Sequence, residues 1–229
     1  MRLFLLCFGI FFYSNGIAQF VTTNIGPNGE TLFNLGSALV NKIKPDDVEG
    51  TPLLSEEWAK GTIKLRNNKQ VNDVLLQYNL EHSILYFSKD SSSRFEFAER
   101  ILEFSFTATM KDKPESFVFR SNYPTNGKFN DRTFYRMMGE GAKFHFLKYC
   151  YKTIQENFGF DKNVKRNYLY KEEWFLYDVQ LKTFHPISNK KSILAALPQY
   201  KEQIEALCIK NKWSLKNADE ITELVKQLD

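Results

Sequence analysis

The chain has 229 residues, a formal net charge of +4 and 43% hydrophobic residues. Because acidic and basic residues are interspersed and the net charge is small, we expect no nucleic-acid partner. Three cysteines are too few for a small disulfide-rich scaffold, and a chain of this length can bury a sizeable core.

The N-terminus, residues 1–18, has the three parts of a cleavable secretory signal peptide. A short positive segment is followed by an apolar run at 3–13 and then by a polar stretch of small residues. Gly16 and Ala18 supply the small residues that signal peptidase requires, so cleavage is expected before Gln19. The apolar run is about half of the ~20 residues that cross a bilayer. No second run of membrane length follows, and we therefore expect no transmembrane anchor.

Residues 19–57 show little periodic pattern and contain turn chemistry such as the segment 24–29 (NIGPNG). We interpret them as an irregular lead-in that is partly ordered by packing. Residues 58–229 predict a single β-rich domain with helices from about residue 188 onward.

Between residues 62 and 185, apolar and polar residues alternate and the connectors are short. This pattern is typical of an antiparallel sheet with one buried face. In the segment 143–153 the apolar positions switch face between Phe146 and Leu147, which predicts a β-bulge. We predict an antiparallel β-meander of about 8–9 strands, drawn from the segments 62–65, 71–79, 84–87, 94–97, 101–107, 116–120, 134–138, 143–153, 167–177 and 179–185.

The apolar spacing becomes helical after Ser188. One short helix is predicted up to Pro198, and a second contains Ile204 and Cys208. Asn217 followed by Glu220 indicates a capping box that begins a third helix. Its predicted buried stripe consists of Ile221, Leu224, Val225 and Leu228. Strands followed by helices predict an α+β fold with the helices on one side or end of the sheet.

Residues with catalytic or metal-binding chemistry are scattered. The three histidines, His82, His145 and His185, lie on different segments without metal-motif spacing, and no nucleophile-elbow or phosphate-loop motif occurs. Adjacent residues on a strand point to opposite faces, so Glu172 and Glu173 are not expected to converge on a substrate. We predict no catalytic, cofactor-binding or metal-binding residues, and an enzyme is the less favoured class.

The distribution of phenylalanine is the one feature that suggests a possible binding function, because pairs of these residues share a face of three predicted strands. Two interpretations stay open: the rings fill an ordinary core, or they line a face that binds an apolar ligand. The residues of this candidate ligand face are Phe95, Phe97, Phe104, Phe106, Phe117 and Phe119.

Two cysteines remain after the predicted cleavage, Cys150 and Cys208. An exported protein meets an oxidising compartment, which permits a disulfide between them. Both have apolar neighbours, however, and cysteine is often buried simply as a small apolar residue. The sequence leaves the two alternatives open.

Several short motifs follow one another in a characteristic order: GTPLL at 50–54, WAKGTI at 58–63, LLQYNL at 75–80, ILYF at 84–87, FY at 134–135 and KKSIL at 190–194. With the capped final helix they resemble a family of exported proteins of unknown function that is common in Bacteroidetes. The resemblance runs from about Gly50 to the C-terminus. It implies export and the order of strands before helices, and it brings no activity or site residue with it.

Released proteins of that phylum often end in a β-rich sorting domain, whereas this chain ends in a predicted helix. We therefore expect periplasmic retention in preference to release. Three functions are considered: a non-catalytic envelope module that binds a protein or polymer through its sheet edge or loops, a carrier or sensor of an apolar ligand, and an unrecognised hydrolase.

We predict that the protein purified from its native host begins at Gln19, because signal peptidase cleaves after Ala18. N-terminal sequencing or intact-mass measurement checks this. A chain that retains Met1, or that carries a lipid on Cys7, would show that the export interpretation is wrong.

Overall fold

The structure is a computed structural model that describes residues 24–25, 31–32, 36–40, 42–67, 69–158 and 164–229. The predicted signal peptide, 1–18, lies outside these residues, as does much of the predicted lead-in. Every helix in the described ranges is too short or too polar to span a membrane.

Strands dominate the described residues up to 187, and helices follow, as predicted. The strands are β1 (Asn24–Ile25), β2 (Thr31–Leu32), β3 (Gly36–Leu39), β4 (Val48–Glu49), β5 (Ala59–Leu65), β6 (Gln70–Asn79), β7 (Ile84–Ser88), β8 (Phe95–Phe97), β9 (Ile101–Met110), β10 (Lys113–Arg120), β11 (Tyr135–Glu140), β12 (Phe144–Phe158), β13 (Val164–Asp178) and β14 (Thr183–Ile187). The helices are α1 (Lys190–Ala196), α2 (Lys201–Asn211) and α3 (Ala218–Gln227), with a 3-10 turn at Pro198–Tyr200.

One large sheet has the strand order β14-β13-β12-β11-β10-β9-β5-β6-β7-β8-β3. These eleven strands pair antiparallel, and β4 adds a short parallel pairing to β13. The predicted count of about 8–9 strands is therefore too low, and the sheet is partly mixed. The additional strands β3 and β4 come from the predicted lead-in. They are too short to show an alternating pattern, and they are held by backbone pairing to β8 and β13.

The sheet curls until its middle strands meet β12. The Lys152 amide of β12 donates to the Leu80 carbonyl at 3.2 Å, at the end of β6. Gly61 lies where β5 and β9 pair closely, since a Cβ there would lie 2.3 Å from the Ser105 carbonyl oxygen. The first hydrophobic cluster fills the inside of the curl and includes Ile63, Leu76, Tyr78, Phe104, Phe106, Phe117, Phe119, Phe134 and Cys150.

The predicted bulge is not in β12 itself: the irregularity lies in the neighbouring strand β11, whose register against β12 shifts between Met137 and Gly139. The pairing of β12 with β13 runs in unbroken register from Phe144 opposite Asp178 to Phe158 opposite Val164. The apolar positions change face because both faces of the strand are covered. Phe146 packs in the second cluster with the helices, and Leu147 packs in a third cluster on the opposite face.

The helices form the second cluster against β12, β13 and β14. The predicted stripe of α3, including Ile221 and Leu224, is buried there. The Asn217 side chain accepts the Glu220 amide at 2.9 Å, which confirms the cap, but the Glu220 carboxylate binds the amides of Ser214 and Leu215 instead of closing the box. A reciprocal capping box that the sequence analysis missed joins Asn189 and Ser192 at the start of α1.

A third cluster lies between the sheet and the segment 121–134. Its buried members are Tyr123, Phe129, Tyr135, Leu147, Phe175 and Tyr177. Their rings meet mainly edge to face, for example Tyr123 and Tyr177 with centroids 4.8 Å apart. The Tyr135 hydroxyl is buried there without a hydrogen-bond partner.

Asp229 ties the end of α3 to the turn between β11 and β12. Its carboxylate accepts the amides of Ala142 and Lys143 at 2.8 and 3.0 Å. The Lys143 ammonium returns a hydrogen bond to the Leu228 carbonyl at 2.8 Å. A Cβ on Gly141 would lie 2.5 Å from this carboxylate, so only glycine leaves room for the contact.

We predict that Asp229→Ala and Gly141→Ala each lower the free energy of unfolding by about 1–2 kcal/mol, because each removes the same pair of exposed hydrogen bonds. The double variant should be no less stable than either single variant. Urea denaturation of the four proteins measures this cycle. Additive losses would contradict a shared contact.

Candidate functional site

Four of the six phenylalanines of the candidate ligand face fill the inside of the curled sheet. Phe104, Phe106, Phe117 and Phe119 are each at most 6% exposed. Phe104 stacks on Phe119 with ring centroids 4.9 Å apart, and Phe106 lies 5.7 Å from Phe117. The inner aromatic surface is therefore occupied by its own side chains. Phe95 and Phe97 lie at its margin and are half-buried.

The two cysteines considered for a disulfide are both free and buried. Cys150 belongs to the first hydrophobic cluster and Cys208 to the second. Burial raises the pKa of both thiols, which disfavours the nucleophilic thiolate. Both therefore act as small apolar side chains in this structure.

The histidines lie apart, as their positions in the sequence suggested. His145 Nδ1 lies 3.0 Å from the Tyr123 hydroxyl, and burial lowers the pKa of this histidine. His82 is exposed beside Glu81, and His185 lies 3.3 Å from the Thr183 hydroxyl on the same strand. In the part of the chain that the structure describes, no three His, Cys, Asp or Glu side chains converge as metal ligands.

Glu172 and Glu173 point to opposite faces of β13, as alternation requires. Glu173 binds Lys128 at 2.7 Å on one face. On the other face Glu172 accepts from Lys148 at 3.0 Å, from the Trp174 indole at 2.6 Å and from the Tyr170 hydroxyl at 3.0 Å. Both carboxylate oxygens of Glu172 are therefore hydrogen-bonded. The polar group formed by Lys148, Tyr170, Glu172 and Trp174 lies between the first and second hydrophobic clusters.

The pKa of Glu172 reflects this arrangement. Partial burial acts to raise the pKa, but the hydrogen bonds from Lys148 and Trp174 outweigh burial and hold the pKa below its usual range. Lys148 itself is only 8% exposed, and its ammonium lies 4.4 Å from the centre of the Trp174 ring. Glu172 is thus an ionised partner for the buried Lys148 ammonium near neutral pH.

A cavity of about 360 Å³ opens at one end of the curled sheet. It lies between the turn that precedes β7, the connector from β8 to β9, and the residues just before β11. The residues that line it are Ser83, Ile84, Leu85, Glu96, Phe97, Ala98, Glu99, Arg100, Ile101, Arg132 and Phe134. Of the six predicted phenylalanines, Phe97 is the one in this lining.

The inner wall of the cavity is apolar and buried. Leu85, Ile101 and Phe134 are each at most 9% exposed. The Phe134 ring stands edge-on to Phe104, with centroids 4.9 Å apart, and so connects the cavity wall to the filled interior. Phe97 packs on Phe87 with centroids 4.6 Å apart. The wall is thus pre-formed by core packing.

The lining also contains four charged residues, Glu96, Glu99, Arg100 and Arg132. Arg100 is fixed by the loop beside it: it donates to the Asp131 carboxylate at 2.8 Å, to the Asp131 carbonyl at 2.7 Å and to Asn122 at 3.3 Å. This clamp holds the segment 121–134 against the β8–β9 connector. An apolar wall with a few fixed polar groups at its edge is the usual composition of a small-molecule site.

This cavity could not be predicted from the sequence, because its lining comes from short connectors without periodic pattern. The residues 96–101 and 132–134 are distant along the chain, and they meet only because the sheet curls. The one available signal was the polar loop with Asp131 and Arg132, which carries charge next to the apolar Phe134 and Tyr135.

Comparison of the chain with protein-family models, with curated proteins and with solved structures finds no match.

We predict that Glu172→Gln lowers the free energy of unfolding near neutral pH by about 1–3 kcal/mol, because it leaves the Lys148 ammonium buried without an ionised partner. Lys148→Met in the same background should restore much of that loss, since it removes the unpaired charge. Urea denaturation of the single and double variants measures both effects. Equal stability of Glu172→Gln and the wild type would show that the pair is not coupled.

The same variant gives a pH test. The folded pKa of Glu172 lies below its unfolded value of ~4.3. Its contribution to stability is therefore present above the unfolded pKa and is lost as the pH falls through the folded pKa. The stability difference between wild type and Glu172→Gln should shrink on acidification from about pH 7 to about pH 3. A difference that stays constant would contradict the assignment.

Proposed function

We propose that the protein is an exported, non-catalytic binding module and that the cavity beside Arg100 is its ligand site. The observation that carries the proposal is the cavity itself, with a volume of about 360 Å³, a buried apolar wall and four charged residues in its lining. That volume falls in the lower part of the ~300–1,000 Å³ range of small-molecule sites. The ligand is accordingly small.

The chemistry of the lining supports binding in preference to catalysis. Ser83 supplies the hydroxyl in the lining, and the other polar members are two arginines and two glutamates. A nucleophilic serine is activated by an adjacent base that is itself oriented by a third group. Among the lining residues, the chain provides neither a histidine nor a lysine for that role.

Export and periplasmic retention are part of the same proposal. They are supported by the signal-peptide pattern of residues 1–18 and by the resemblance to exported proteins of Bacteroidetes. A periplasmic protein of this kind would hold or sense a small molecule of the envelope.

A second candidate is a binding module for an envelope protein. It is supported by the hairpin of β12 and β13, which carries four of the large exposed apolar side chains in the described residues: Phe158, Val164, Leu169 and Tyr170. Phe158 is 78% exposed and lies directly opposite Val164 near the end of the hairpin. The two candidates use different surfaces, so variants can separate them.

The cavity is tested by filling it. Ala98 lines the cavity and is exposed, so Ala98→Trp should occupy the space without disturbing the core. We predict that the wild type binds a hydrophobic fluorescent dye at one saturable site and that Ala98→Trp weakens this binding at least roughly ten-fold, which corresponds to ~1.4 kcal/mol.

Two controls accompany this measurement. Gln180→Trp adds the same ring at an exposed turn between β13 and β14, and Phe158→Ser removes an exposed ring from the hairpin. Both should bind the dye as the wild type does. Dye binding that is unchanged in Ala98→Trp, or that is lost in Phe158→Ser, would overturn the assignment of the ligand site to the cavity.

A further inference from the structure

The outer edge of β13 is covered at both ends and open between them. β14 pairs with it over Trp174–Asp178, and β4 pairs with it at residues 166–167. Residues 169–172 are exposed one after another, and within the described ranges no strand pairs with them on the side away from β12. The opening between residues 168 and 174 is about 20 Å long, since a strand rises ~3.3 Å per residue.

The backbone groups that face this opening belong to Tyr170 and Glu172. In an antiparallel pair, opposite residues alternate between exchanging hydrogen bonds and directing their N–H and C=O groups away from each other. The Val179 amide donates to the Lys143 carbonyl at 2.9 Å, and the same register continues along β12 and β13 without a break. The odd-numbered residues of β13 therefore bond to β12. Tyr170 and Glu172 are even-numbered, so their N–H and C=O groups point outward.

The opening lacks most of the devices that protect a sheet edge. Proteins usually protect such an edge with proline, a bulge, charged side chains or a covering element. β14 has this protection, because it contains Pro186 and contacts α1. Residues 169–172 contain no proline, and their register against β12 is regular. An exposed, regular edge with unpaired backbone groups is a template for an added strand.

The side chains beside the opening define which strand fits it. On the face of the third cluster, Leu169 is 38% exposed and Lys171 is exposed. Glu172 and Glu173 each pair with another lysine, whereas Lys171 forms no ion pair within the described residues. On the other face Tyr170 is 43% exposed. Because directly opposite side chains interact and opposite charges there are favourable, the best partner strand has a carboxylate flanked by apolar residues.

We propose that the opening in β13 receives an extended segment of a partner protein as an added antiparallel strand. The segment places a carboxylate opposite Lys171 and apolar side chains opposite Leu169 and Tyr170, and its backbone bonds to Tyr170 and Glu172. The proposal rests on the second candidate function, in which the hairpin of β12 and β13 contacts an envelope protein, and it is independent of the cavity. A second copy of this chain fits poorly, because its own β13 would have to pass where β4 and β14 already lie.

Calorimetric titration of the full mature chain with two synthetic peptides tests the recognition pattern. The acetylated and amidated peptide STEVVT, aligned antiparallel opposite residues 173 to 168, places its glutamate opposite Lys171 and its first valine opposite Tyr170. The matched peptide STKVVT reverses the charge. We expect the wild type to bind STEVVT at least roughly three-fold more tightly than STKVVT, and Lys171→Glu to reverse this preference, because like charges directly opposite each other are unfavourable.

N-methylation of STEVVT separates backbone pairing from side-chain contact. In the proposed alignment the N–H of the fourth peptide residue points to the Tyr170 carbonyl, whereas the N–H of the third points to solvent. N-methylation of the fourth residue should weaken binding at least roughly five-fold, because it removes a backbone hydrogen bond. N-methylation of the third residue is the matched control and should change the affinity by less than about two-fold.

Each other outcome overturns a stated part of the proposal. If STEVVT binds and the two N-methyl positions have the same effect, the hairpin contacts a protein through side chains alone, as the second candidate function states, and only the added strand fails. Unchanged affinities in Lys171→Glu overturn the carboxylate. If the wild type binds neither peptide, the added strand and the second candidate function both fail. A wild-type dimer in sedimentation that Lys171→Glu dissociates would assign the opening to a second copy and overturn the partner segment.

Discussion

The unbroken pairing of β12 with β13 is the constraint on which the rest of the structure depends. Over its length β12 contributes Cys150 to the interior of the curled sheet, Phe146 to the cluster under the helices and Leu147 to the aromatic cluster on the opposite face. Because successive residues of a strand point to opposite faces, one regular strand can serve all three clusters. A bulge anywhere between Phe146 and Cys150 would exchange the faces and remove at least one cluster's central residue.

The regular register of β12 also places a charged residue, Lys148, inside the protein. It lies on the same face of β12 as Phe146 and Cys150, between two apolar clusters, and it is buried. A buried ammonium requires an ionised partner with several hydrogen bonds. Glu172 fills that role, and its carboxylate is itself held by Trp174 and Tyr170. These hydrogen bonds therefore provide an ionised partner for the Lys148 ammonium, which the register of β12 places inside the protein.

Much of the secondary structure could be predicted from the sequence, because alternation and helical spacing are local properties. The α+β order, the buried stripe of α3 and the Asn217 cap all follow from residues within a few positions of one another. The change of face between Phe146 and Leu147 predicts a bulge only if one face of the strand is buried. In the structure both faces of β12 are covered. The strands β3 and β4 could not be predicted from an alternating sequence pattern, because they are held by backbone pairing to β8 and β13, and this pairing does not require particular residue types.

The candidate site was much less accessible to prediction. Of the aromatic residues singled out in the sequence, Phe97 reaches the cavity, whereas Phe104, Phe106, Phe117 and Phe119 pack against one another. Ser83, Arg100 and Phe134 come from three separate connections, and nothing local joins them. Their meeting depends on the curl of the sheet, which is a non-local property set by the close approach at Gly61 and by the contact of Leu80 with Lys152.

That last contact also sets the order in which the protein can fold. The Leu80 carbonyl pairs with the Lys152 amide, 72 residues further along the chain, and contacts of such long sequence separation make folding slow. Until β12 arrives, the strands β5 to β10 present the ring faces of Phe104, Phe106, Phe117 and Phe119 without the covering strand. A nascent chain therefore passes through an interval in which these aromatic side chains are exposed, and the interval lasts until residues 144–158 have been synthesised.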